Sequence, residues 1–72
     1  MHEYSRILIE NYCMSHNSAK SRRLAKLVEM SYDLYAEATD SDAIFLEKAI
    51  KQEEDSDLRE ALQDLDEFLF PF

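Results

Sequence analysis

The sequence predicts an all-α protein, a small bundle of three to four short helices forming one domain over residues 1–72. Three observations carry this. There is no glycine and the only proline is Pro71, so the usual chemistry of hairpin turns is missing. Good helix formers such as leucine, alanine and glutamate dominate, while β-branched residues are scarce. Apolar residues recur at helical spacing, broken by clusters of capping residues.

The first helix is expected from about Tyr4 to Met14. At about 100° per residue, Tyr4, Ile7, Leu8, Ile9, Tyr12, Cys13 and Met14 project almost all round it, the mark of a helix covered on most sides. Ser15, His16, Asn17 and Ser18 follow, residues that compete for backbone hydrogen bonds and supply a cap, so helix 1 is expected to fold back on helix 2. In helix 2, Leu24, Leu27, Val28, Ser31, Leu34, Tyr35 and Ala38 form one stripe, and Arg22, Lys26, Glu29, Asp33 and Glu37 line the opposite side. Tyr32 and Met30 sit at its margins.

Thr39 and Asp42 have the spacing of a capping box, which starts a third helix with Ala43, Leu46, Ala49 and Ile50 on one face and Phe45 on another. From Lys51 to Asp57 no apolar residue occurs, and Asp55, Ser56 and Asp57 are suited to break one helix and cap the next; the alternative is one helix from Asp42 to Leu69. The last stripe, Leu58, Ala61, Leu62, Leu65, Phe68 and Leu69, runs until Pro71 forbids continuation. The expected core is Leu24, Leu27, Val28, Leu34, Leu46, Ile50, Leu62 and Leu65.

A chain this short buries only about 60% of its unfolded surface, so a lone monomer is marginal. Together with the two-sided apolar surface of helix 1, this leads us to expect a homodimer, with Ile9, Tyr12 and Phe45 as interface residues. No apolar run approaches a membrane span or a signal peptide, and the single cysteine, Cys13, excludes an intramolecular disulfide; a cytoplasmic protein without membrane contact is expected.

The chemistry is mostly absence. Phosphate-binding loops and nucleophile elbows need glycine, which is missing. Cys13 and His16 have the spacing of half a zinc site, yet only His2 remains as a further nitrogen ligand. As a thiol and its base the same pair lies in the most apolar stretch, where a thiol stays protonated. The carboxylates of the second half lack the spacing and central glycine of a calcium loop. No enzyme, metal or cofactor is expected.

The formal charge of −8 belongs entirely to the second half. Residues 1–39 hold five acids and five bases, whereas residues 40–72 hold eleven acids against Lys48, Lys51 and Arg59. Such a field repels nucleic acid and favours a protein partner with a basic surface. The basic cluster Lys20, Arg22, Arg23 and Lys26 has no stacking aromatic and complements the protein's own acidic half or that of a second subunit.

These features lead us to expect a small acidic regulatory or inhibitory protein, of the sort carried by phages and mobile elements, that docks on a host enzyme. A DNA mimic, or a structural helical subunit of a larger assembly, is the alternative. At the C-terminus Asp64, Asp66 and Glu67 precede Phe70, Pro71 and Phe72. This ending resembles the C-terminal tip of bacterial single-stranded DNA-binding proteins, in which an acidic run leads to a hydrophobic residue, proline and phenylalanine. The resemblance covers the three residues Phe70, Pro71 and Phe72, while Phe68 and Leu69 stand where that family has acids. It implies docking on enzymes of DNA replication, repair or recombination, with Asp64, Asp66, Glu67, Phe70, Pro71 and Phe72 as partner-binding residues. The same residues also suit a helix stop at Pro71 with the last phenylalanine folded onto the core.

Overall fold

The computed structural model describes residues 1–33 and 35–71. Among these residues the chain forms four helices and no strand: α1 (Glu3–Ser15), α2 (Ala19–Met30), α3 (Asp40–Gln52) and α4 (Ser56–Leu69). Its radius of gyration, 11.0 Å, matches the roughly 11 Å of a compact chain of this length. α1 packs against both α2 and α4, and α3 closes the bundle on α4.

Side-chain caps set the helix starts. Ser18 accepts from the Ser21 N–H while the Ser21 hydroxyl bonds the Ser18 N–H, a reciprocal box that satisfies two donors at the start of α2. Thr39 and Asp42 do the same for α3, in the box that their spacing predicts. The break after α3 is real, and the long continuous helix does not form. Glu53 turns to extended backbone, and the Asp55 carboxylate accepts from the N–H groups of Asp57 and Leu58 to start α4. Arg59 fastens the break by donating to the Glu53 and Glu54 carbonyls. α4 stops at Leu69, because Phe70 precedes Pro71 and is held out of helical geometry.

Helix 2 is the main correction. Its apolar stripe predicts a helix through Ala38, but α2 ends at Met30 and Tyr35 is exposed. The reason lies in the polar residues that interrupt the stripe. The Ser31 hydroxyl donates to the Val28 carbonyl, and the N–H groups of Ser31, Tyr32 and Asp33 reach back only three residues, to Val28, Glu29 and Met30. The Ser31 carbonyl and hydroxyl oxygens accept from the Arg6 guanidinium, and the Asp33 carboxylate accepts from the Tyr35 N–H, closing a turn. Tertiary and local hydrogen bonds therefore outbid propensity. The connection through residues 35–39 then carries the chain to Thr39.

One cluster forms the core: Ile9, Leu24, Leu27, Val28, Leu46, Ala49, Leu58, Ala61, Leu62 and Leu65. Six of the expected core residues are buried; Ile50 is half-buried against the cluster, and Leu34 lies outside the described residues. α1 departs from its expected burial on most sides. Ile9 and Ser5 face inward, and Tyr4, Ile7 and Met14 are exposed.

Candidate partner-binding surface

The acidic half of the chain becomes a surface through the geometry of α4. Leu58, Ala61, Leu62 and Leu65 turn one face to the core, which leaves Asp57, Glu60, Asp64 and Glu67 along the other side at alternating spacings of three and four. Successive members of this row stand about 5 Å apart along the helix axis. Among the described residues no ion pair engages any of these four carboxylates.

Between this row and the start of α1 runs an open groove of about 490 Å³, lined by His2, Tyr4, Ser5, Glu60, Gln63, Asp64 and Glu67. Asp64 closes the groove floor. Its carboxylate accepts from the His2 N–H at 3.0 Å. Partial burial pushes the Asp64 carboxyl up, but the hydrogen bonds from His2 and the Ser5 hydroxyl, with the nearby N-terminal ammonium, hold it below the usual carboxylate range. Asp64 is therefore ionised and fixed. Tyr4 stands at the groove edge with 66% of its surface in solvent.

The residues that the sequence singles out at the C-terminus are not brought together. Asp64 turns toward α1, whereas Asp66 turns toward α3, where burial and then the negative charges of Glu47 and Glu67 push its carboxyl up. Glu67 is exposed on the groove wall. Phe70 packs against the core and its N–H donates to the Asp66 carbonyl at 2.8 Å, so the segment up to Phe70 is folded onto the bundle and is not an extended peptide. Pro71 is exposed, and Phe72 lies outside the described residues. No protein-family model matches the chain, nor does any curated protein or solved structure.

The three residues expected at a dimer interface also separate. Ile9 has no exposed surface and sits in the core, Tyr12 and Phe45 are half-buried against it, and the Arg23 guanidinium lies 4.6 Å over the Phe45 ring. The reason for Ile9 is that α2 and α4 close on the same side of α1 and leave its opposite side free. Phe45 lies at the edge of the α3 face that carries Leu46 and Ala49, and Ile44 is the exposed residue instead.

At the far end of α1, Cys13 and His16 do not face each other as nucleophile and base. The His16 ring stacks on Tyr12 with centroids 4.1 Å apart, and its Nδ1 lies 2.9 Å from the Tyr12 carbonyl oxygen. Burial, then the Glu10 carboxylate, pushes the Cys13 thiol up, which keeps it protonated. Among the described residues no group of three or more His, Cys, Asp or Glu side chains is placed to hold a metal ion, and no helix is long and apolar enough to cross a membrane.

The candidate surface thus includes Tyr4, Asp57, Glu60 and Gln63, none of which the C-terminal motif pointed to. The acids among them carry a sequence signal, the spacing that joins Asp57, Glu60, Asp64 and Glu67 on one side of a helix. Tyr4 carries none, because only the packing of α1 on α4 brings it there.

Proposed function

We infer that this chain is a small acidic, non-enzymatic regulatory or inhibitory protein that docks a basic surface of a protein partner along the outer side of α4. One observation carries the reading: an unneutralised row of Asp57, Glu60, Asp64 and Glu67 borders an open groove with an exposed tyrosine at its edge. An arginine or lysine of the partner entering this groove meets the Glu60 and Glu67 carboxylates and the face of the Tyr4 ring. Charge-assisted hydrogen bonds and a cation–π contact are both favourable there.

Capture from a bacterial lysate with the intact chain tests this. Glu60→Lys with Glu67→Lys is expected to abolish capture of the partner that the unmodified chain retains, while the helical melt stays in place. Retention of the same partner by the double variant removes the reading. A DNA-mimic mode draws on the same row but needs carboxylates alone. Loss of capture by Tyr4→Ala at constant salt therefore favours the protein-docking mode, and indifference to Tyr4 with a steep salt dependence favours the mimic.

The homodimer expected from the sequence keeps its motive, because large apolar side chains remain in solvent, but loses Ile9 as a contact.

A further inference from the structure

The side of α1 opposite Ile9 carries Tyr4, Ile7, Asn11 and Met14, which at 3.6 residues per turn fall within an arc of roughly 80°. All four are exposed: Tyr4 to 66%, Ile7 to 47% and Met14 to 86%, with Asn11 between them. This is the a–d–a–d spacing of a helix that packs on another helix, with one polar residue, Asn11, among the four. The intervals of three, four and three read the same in either direction. A second copy of α1 laid antiparallel therefore sets Tyr4 opposite Met14 and Ile7 opposite Asn11, twice over, as a two-fold axis requires.

Charge chooses this occupant and this direction. The N-terminal end of the stripe adjoins the acidic groove, where Tyr4 lies beside Glu60, Asp64 and Glu67. The C-terminal end adjoins the start of α2, where Met14 shares a cleft with the exposed Arg22. On the flank of α1 that carries Ser5 and the groove, Lys20 lies 5.6 Å over the Tyr12 ring. Antiparallel pairing brings the acidic end of each copy onto the basic end of the other, whereas parallel pairing sets acid on acid and base on base. Glu10, the acid nearest the middle of the stripe, is drawn aside by a 3.1 Å hydrogen bond from the Tyr32 hydroxyl. The Tyr4–Met14 contacts at the two ends add sulfur–aromatic attraction.

We propose that the outward face of α1, through Tyr4, Ile7, Asn11 and Met14, is the two-fold interface of an antiparallel homodimer in which Lys20 of each copy meets the acidic groove of the other. The dimer and the partner draw on the same groove, Tyr4, Glu60 and Glu67, so each excludes the other there, and the test of the dimer uses the chain alone.

Sedimentation equilibrium of the full chain at tens to hundreds of micromolar is expected to give twice the monomer mass of 8.5 kDa. Ile7→Lys and Met14→Lys, both on exposed side chains, are expected to give the monomer mass with an unchanged circular dichroism spectrum. Lys20→Glu alone, and Glu60→Lys with Glu67→Lys alone, are each expected to weaken self-association by about tenfold or more. An equimolar mixture of these two charge-reversed chains is expected to restore it, because each end then finds its opposite. Monomer mass for the unmodified chain throughout, or dimer mass that survives Ile7→Lys, overturns the proposal. A mixture that fails to restore association overturns the antiparallel pairing.

Discussion

Single side chains in this bundle do work that their positions make measurable. Leu27 and Leu62 are at most 1% exposed, so truncation of either to alanine leaves a cavity in the one core; we expect about 2–5 kcal/mol of destabilisation, read by chemical denaturation. Two neighbouring aspartates on α4 should respond to acid in opposite directions. The Asp64 carboxyl is held low in the folded chain, so its ionised form contributes stability that is present above the unfolded value of about 4 and is lost as pH falls through the folded value. The Asp66 carboxyl is pushed up, first by burial and then by Glu47 and Glu67, so its ionised form costs stability, and protonation as pH falls through that raised value removes the cost. We therefore expect Asp66→Asn to raise the melting temperature at neutral pH and Asp64→Asn to lower it. The Asp64→Asn chain should also lose less stability between neutral pH and acid. A common shift in both variants contradicts this assignment.

At the scale of the elements, the caps decide where helices begin, and hydrogen bonds to other parts of the chain decide where one of them ends. Thr39→Ala removes an acceptor that the Asp42 N–H uses at 3.2 Å, and Asp55→Ala removes the acceptor for two N–H groups at the start of α4. Each substitution is expected to cost about 0.5–2 kcal/mol in a denaturant titration, with Asp55→Ala the larger because two donors lose their partner. The end of α2 gives a different outcome. Ser31→Ala removes the hydroxyl that both donates to the Val28 carbonyl and accepts from Arg6, so a helix-favouring residue now stands where the chain leaves the helix. We expect hydrogen exchange to slow at the amides just after Met30 as the stripe through Ala38 recovers helical character. Exchange unchanged from the parent shows that the turn at Asp33 suffices to end α2.

For the whole molecule, the distribution of charge matters more than its total. The formal −8 is concentrated on α4 and on Glu53, Glu54 and Asp55 just before it, and two ion pairs bind acids among the described residues: Asp42 with Arg23, and Glu47 with Lys51. The row on α4 thus remains a strong field next to an exposed tyrosine, while the start of α2 is a basic pole. Because a dimer is stabilised by mass action, the melting temperature of the full chain is expected to rise with protein concentration, and to stop doing so in the Ile7→Lys chain. A melting temperature independent of concentration in the unmodified chain argues against self-association of any geometry.

The sequence by itself determined the all-helical class, the break near residues 15–18, the box at Thr39 and most of the core, because these depend on spacing and on side chains that act on their own backbone; between Lys51 and Asp57 it left a break and one long helix both open, and the structure has the break. It also located the excess of acid. Only the tertiary structure decided where α2 ends, since the Arg6 bonds to Ser31 come from a residue 25 positions away. The same holds for the two sides of α1. Periodicity marks apolar residues all round that helix, but which of them are covered depends on where α2 and α4 pack, and this buries Ile9 and leaves Tyr4, Ile7 and Met14 outside. The terminal motif was legible as residues but not as a site, because burial of Phe70 and the helical twist between Asp64 and Asp66 turn its members in different directions, and packing of α1 on α4 sets Tyr4 beside Glu60 and Glu67 instead.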